Sequence, residues 1–264
     1  MDNAGDIRIS GSGTITGGVY NNISISGGGK WNGDVECASF RVSGGAKGSG
    51  DIKASQEIAV SGSFKSQSAV YCGGSVKISG SASCDGEIRC EGPVHISGGA
   101  ACGRLTGGKV QISGSIRCES VRAESLSISG GCDIEGDCEA EKAEISGATN
   151  IKGLLNADEV IIHSGGKHCY SNIGSIGGRT VTIDNCSPQV NLLFGFITVI
   201  TGTPSCTVVT ESIEADEIDI MSTKAEVIRG NNVKIGEGCK IRRVEYSGTL
   251  DVHPESEVEE AIKI

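Results

Sequence analysis

Aromatic residues are nearly absent from this chain of 264 residues, which has four Phe, four Tyr and one Trp, 3% of the sequence. A core built around large rings, each burying about 150–250 Å², is therefore not available, and small and β-branched side chains must supply it. Prolines number only four. No apolar run approaches the roughly 18 residues of a membrane-spanning helix. The first residues, MDNAGDIRIS, lack the basic and apolar regions of a secretory signal, so a cytoplasmic protein is expected. Positive charge is also short, with 23 Lys and Arg against 33 Asp and Glu. The deficit is one-sided: residues 1–130 carry 12 basic and 11 acidic groups, residues 131–264 carry 11 and 22. A polyanion-binding surface needs the opposite balance, so nucleic acid is not an expected partner.

Glycine, in contrast, is abundant at 41 residues, about twice the usual share of roughly 7%. It does not recur at every third position, which excludes a collagen-like chain, and the steady return of Ile, Val and Leu argues against disorder. What returns is a short motif: IRISG, ISISG, FRVSG, IAVSG, VKISG, VHISG, VQISG, LSISG and AEISG. Its first residues are Ile7, Ile23, Phe40, Ile58, Val76, Val94, Val110, Leu126 and Ala143, and Val160 continues the series, at spacings of 16, 17, 18, 18, 18, 16, 16, 17 and 17. This period is too short for a helical repeat or a propeller blade and fits one turn of a parallel β-helix. Within it lies a finer period of six, as in ISGSAS, CDGEIR and CEGPVH. Three hexads give a three-sided turn. Because both periods are even, one parity stays inward around the corners, where glycine is expected to allow the bend or a positive φ. The fold class expected is all-β: a single-stranded parallel β-helix of about 14 turns of 15–18 residues. Ile78, Ile88, Val94 and Ile96 are core positions in that reading.

Eight of the twelve cysteines (Cys37, Cys72, Cys84, Cys90, Cys102, Cys118, Cys132 and Cys138) share the inward parity of their own turns. Surface redox or metal chemistry would not create that bias, whereas free cysteine packs as a small hydrophobe. His95 stands at an outward position and His253 in the tail. His163, His168 and Cys169 lie together in HSGGKHC, with Cys186 one turn later, but the spacing matches no common zinc motif. GGGKWNG is not a phosphate-binding loop, having neither the GK[ST] ending nor a following helix. No nucleophile–base constellation appears, so the sequence gives no catalytic residue, no cofactor, no metal and no enzyme.

After Val160 the register loosens. The one strongly apolar run, VNLLFGFITVI, lies between Pro188 and Pro204. Leu192, Leu193, Phe194, Phe196 and Ile197 are its candidate contacts with a membrane surface or a partner, the alternative being a strand or hairpin folded over the coil. The organisation expected is regular turns over 1–184, an apolar insertion over 185–206 and acidic turns over 207–264, in one solenoid domain.

A solenoid exposes unpaired backbone groups above an apolar core at each end unless it is capped, and such edges pair with other edges. The expected activity is thus self-association without nucleotide, through the end-turn residues Ile7 and Ile9 on one side and Val258, Ile262 and Ile264 on the other. The turns ISISGGGKWNGDVECA and LSISGGCDIEGDCEA, and the tail SIEADEIDIMSTKAEVIRGNNVKIGEGCKIRRVEYSGTL, resemble the bactofilin family of bacterial polymer-forming cytoskeletal proteins, the tail resembling the longer members of Gram-positive bacteria. The resemblance implies a right-handed, three-sided β-helix. It also implies filaments that form without nucleotide and scaffold cell-shape, envelope or appendage machinery, with the chain itself as first partner. The competing functions are a transferase on a hexad coil and a surface-exposed β-helix of the adhesin or lyase kind.

Overall fold

The structure, a computed structural model, describes residues 5–164, 170–184 and 208–264, with backbone alone for 192–193 and 196–197. Among the described residues there is no helix. Parallel strands stack as a β-solenoid of about 13 turns, against the 14 expected, in two compact units, residues 1–141 and 142–264.

In the first unit the motif residues form one column. Ile7 pairs with Ile23, Ile23 with Phe40, Phe40 with Ile58, Ile58 with Val76, Val76 with Val94, Val94 with Val110 and Val110 with Leu126. The most regular turn has three short strands, Ser75–Ile78, Ser81–Cys84 and Ile88–Cys90, before Val94–Ile96 begins the next. Alternation crosses each corner unbroken: Val76, Ile78, Ala82, Cys84, Ile88, Cys90, Val94 and Ile96 are all buried, with Gly80, Gly86 and Gly92 between the sides.

The Ser-Gly corner repeats one set of hydrogen bonds. The carbonyl of the residue before the previous turn's Ser-Gly accepts two N–H groups, as Ile78 does from Ser97 at 2.9 Å and Gly98 at 3.1 Å. Glycine is needed here for space and not for a positive φ. A Cβ on Gly98 would lie 2.0 Å from the Gly80 carbonyl oxygen, and one on Gly62, Gly80, Gly114 or Gly130 would be as close to the glycine one turn earlier. Left-handed backbone is used elsewhere, at Gly33 (φ 82°), Gly50 (φ 101°) and Gly238 (φ 76°).

Three inward aromatics from successive turns cluster together. Trp31 stacks on Phe64 with ring centroids 5.4 Å apart, and Phe40 meets both rings edge-on. Trp31 is fully buried, and the turn above offers Gly48 opposite it, where a Cβ would sit 2.3 Å from the indole. A bulky residue in one turn is therefore matched by a missing one in the next, as close packing demands. Outside, charges pair between adjacent turns: Arg41 with Glu57 at 2.7 Å, Arg117 with Asp133 at 3.1 Å and Arg122 with Glu139 at 3.2 Å. The hydrogen bond from Arg41 holds the Glu57 carboxyl below its usual range.

The second unit stacks Thr149–His163, Ser171–Asp184, Val208–Ile220, Thr223–Ile235, Lys240–Val252 and Glu257–Lys263, all parallel. Ser171 pairs directly with Val208, and Val208 with Thr223. In the long interval of chain between Asp184 and Val208, Leu192–Leu193 pairs antiparallel with Phe196–Ile197.

Two substitutions separate the two uses of glycine. Gly98→Ala forces a methyl against a backbone oxygen, and overpacking of this kind costs about 1–3 kcal/mol, read as a lowered denaturation midpoint. Gly28→Ala, whose Cβ would meet only the Ser12 hydroxyl at 3.8 Å, is expected to move the midpoint by less than about 0.5 kcal/mol. Equal effects would contradict the close-approach account.

Candidate self-assembly edges

The first strands, Ile7–Ile9 and Ser12–Val19, pair on one side with the following turn. Among the described residues nothing pairs with their other side. Ile7 and Ile9 are half-buried, while Ile23 and Ile25, directly beneath them in the same columns, are fully buried. Asp6 fixes the entry to this edge, accepting hydrogen bonds from the side-chain amides of Asn21 and Asn22, each at 3.0 Å, and from the Asn22 N–H at 3.2 Å. These bonds, Asn22 foremost, hold its carboxyl below the usual range. Their contribution is present above the ordinary carboxylate range and is lost as pH falls through the lowered value.

At the other end, Glu257–Lys263 pairs with Lys240–Val252, and its far side is unpaired among the described residues. Val258 is half-buried and lies over buried Ile241. Ala261 lies over buried Val244 yet is exposed, and Val252 is 36% exposed. Ile262 falls in a different column: it pairs with Glu245, which pairs with Arg229, an outward row. Ile264 is 73% exposed, and its N–H donates to the Tyr246 carbonyl. Ser256 secures the turn, accepting from the Cys239 N–H at 2.9 Å and donating to the Gly236 carbonyl at 2.6 Å. Leu250, Val252 and Ala261, which sequence reasoning left out, thus extend the apolar rim. Their place follows from the register of the last two turns, which a register shift between Gly230 and Asn232 conceals from a repeat count.

The structure disperses the remaining candidates. His95 sits in an outward row between Lys77 and Gln111. His253 lies in an exposed turn, its Nδ1 accepting from the Glu255 N–H at 3.2 Å. His163 stands between carboxylates, its Nδ1 2.8 Å from Asp184 and its Nε2 3.7 Å from Glu144. His168, Cys169, Cys186 and Phe194 lie outside the described residues, as do the side chains of Leu192, Leu193, Phe196 and Ile197. Among the described residues no cluster of three or more His, Cys, Asp or Glu is placed to hold a metal ion. The eight inward cysteines and Cys239 are buried and free. Burial pushes the Cys37 and Cys138 thiols up to about 12 and Cys84 to about 11. Cys72 is held low, chiefly by a hydrogen bond from Cys90, its partner in the next turn. No helix among the described residues is long and apolar enough to cross a membrane.

The regular part of this ladder carries the decisive likeness. Residues 76–171 match the family model of the bactofilins, described as polymer-forming cytoskeletal. This segment is similar to the bactofilin domain. The chain is also similar to two proteins of Bacillus subtilis (strain 168), both uncharacterized: YhbE, 39% identical over 114 residues, 43% of this chain and 44% of that protein, and YhbF, 30% identical over 112 residues, 42% of each. Less than half the length of either relative is spanned. No solved structure matches. The matched segment contains the turns with the strictest inward alternation; both edges described above lie outside it.

Burial makes the buried thiols poor nucleophiles at neutral pH. Alkylation of the native protein by iodoacetamide at pH 7 is expected to leave Cys37, Cys84 and Cys138 unmodified, with Cys72 reacting ahead of them. Peptide mapping by mass spectrometry checks the order, and fast labelling of Cys138 would contradict it.

Proposed function

We propose that this protein is a cytoskeletal scaffold whose activity is its own end-to-end polymerisation, without nucleotide. The observation that carries the reading is that each end column continues a fully buried one. Ile7 and Ile9 lie over Ile23 and Ile25, and Val258 over Ile241. A turn from another copy can therefore take the place of the missing neighbour. It would complete the backbone hydrogen bonds at the ~4.8 Å strand spacing and remove the half-exposed aliphatic rims from water, at about 25 cal/mol per Å² of apolar surface. Both contributions are present in the folded chain, so no bound nucleotide is required. Polymer formation by a bactofilin segment fits this arrangement. The apolar stretch with Leu192, Leu193, Phe194, Phe196 and Ile197 is the proposed contact for a membrane surface or an envelope or appendage protein.

Negative-stain microscopy of purified protein is expected to show filaments whose length does not change when ATP or GTP is added. Ile9→Lys and Val258→Lys each place a charge in an end column and are expected to shorten the filaments at least severalfold, with the β signature in circular dichroism retained. A chain that stays monomeric at every salt concentration would overturn the proposal. Loss of the β signature in both variants would show that these residues support the fold and not an interface.

A further inference from the structure

Outward charges of this protein generally meet the opposite sign one turn away, as in Arg41–Glu57, Lys53–Glu36, Arg117–Asp133, Lys142–Glu159, Arg229–Glu245 and Lys234–Asp219. One outward row breaks the pattern. Lys30 pairs in register with Lys47, and Lys47 with Lys65, with Thr14 and Ser83 at either end. The three ammonium groups therefore stem from positions only ~4.8 Å apart, an arrangement of directly opposed like charges that destabilises a sheet. All three lysines are exposed, and none has an ion pair among the described residues. The rows beside them hold no charge: Ser12, Gly28, Gly45 and Ser63 on one side, Asn32 and Ser49 on the other. The missing side chains of Gly28 and Gly45 leave a shallow groove of about 680 Å³ along the lysines.

The second unit carries the complementary feature. Strand Val208–Ile220 contains ESIEADE, in which Glu211, Glu214 and Asp216 are exposed and make no ion pair among the described residues. The cation opposite Glu214 in register, Arg229, is already taken by Glu245 at 2.8 Å. The same chain thus presents an uncompensated cationic row in a groove and an uncompensated acidic strand.

We propose that the lysine row Lys30, Lys47 and Lys65 is a lateral docking site for the acidic strand 211–217 of a second copy of this chain, separate from the end-to-end contact. Long lysine stems over a glycine floor can adjust to carboxylates spaced along a crossing strand at ~3.3 Å per residue. Neutralising three stacked cations relieves their mutual repulsion, and exposed charges attract through water with a strength that salt screens.

The test uses the full chain with end joining weakened by Ile9→Lys, so that side-by-side pairing is read apart from filament length. Sedimentation is expected to show dimers or larger species at about 0.01 M salt and monomers at about 1 M, where the screening length falls from ~30 Å to ~3 Å. The triple variant Lys30→Glu, Lys47→Glu, Lys65→Glu is expected to weaken pairing at least tenfold, and Glu211→Lys, Glu214→Lys, Asp216→Lys to do the same. Mixing the two triple variants is expected to restore pairing, because each supplies the charge the other lacks; a merely structural role would not give that rescue. Pairing that survives the lysine reversals, or is not restored by mixing, overturns the proposal. So does lysine-dependent binding to phosphatidylglycerol vesicles by a chain that does not pair with itself, which would assign the row to a membrane. In the chain without Ile9→Lys, single filaments of ordinary length in the lysine triple variant would separate failure of this contact from failure of end joining.

Discussion

Every turn of this protein must sit in register on the turn before it, and that constraint governs the rest of the structure. A parallel ladder leaves little freedom in the spacing of successive backbones. At a side of the coil the requirement is met by alternation, since any residue with an outward side chain fits. At a corner the carbonyl of one turn points at the Cα of the next, and the Ser-Gly motif answers both demands there. Its two N–H groups converge on one carbonyl, and its glycine lets that carbonyl approach to where a Cβ would stand. Seven successive turns repeat the solution from Gly27 to Gly130.

The composition of the core follows from the same spacing. A three-sided coil with sides of three or four residues encloses a narrow interior in which a side chain competes with those of the turns above and below. Valine, isoleucine, alanine and free cysteine suit that space, and the thiols at Cys84, Cys102 and Cys118 occupy a column that aliphatic residues hold elsewhere. The single tryptophan is admitted only because Gly48 vacates the next level of its own column and Phe64 supplies a parallel face. A thiol buried in this way loses reactivity, so the nine buried cysteines among the described residues are packing material first. Cys72 departs from this, held low chiefly by a hydrogen bond from Cys90 one turn on.

Much of this was legible without coordinates. The first apolar residue of each motif names one physical column from Ile7 to Leu126, and the inward parity of the cysteines survives intact, because both depend only on period and alternation. The corner glycines were located correctly, but the positive φ expected as one of their two uses is absent at the Ser-Gly corners. A recurring glycine does not distinguish an unusual φ from a close backbone approach; the distance from Gly98 to the Gly80 oxygen does. The end columns were less legible. Ile262 shares the parity of Val258 in the sequence, yet the inward parity switches at the corner between buried Ile241 and buried Val244, which places Ile262 in the outward row of Arg229 and Glu245. Relations between rows were hidden altogether, since Lys30, Lys47 and Lys65, or Glu144, His163 and Asp184, are neighbours only once the unequal turn lengths are known.

A repeating ladder also changes what a surface residue means. On an ordinary globular protein each side chain has its own surroundings, whereas here an outward position is one rung of a row whose neighbours are fixed by register. A row of alternating charge closes on itself, as Arg229 and Glu245 do, and leaves little field beyond the surface. A row of one charge cannot do so, because its only near neighbours along the ladder are copies of itself. Its compensation must come from solvent ions or from another molecule. The apolar ends obey the same logic in a different currency: among the described residues, the columns of Ile7 and Val258 have a neighbour on one side alone. In the two contacts proposed above, association is a property of the repeat, directed along the stack by backbone and apolar columns and across it by the sign of a row.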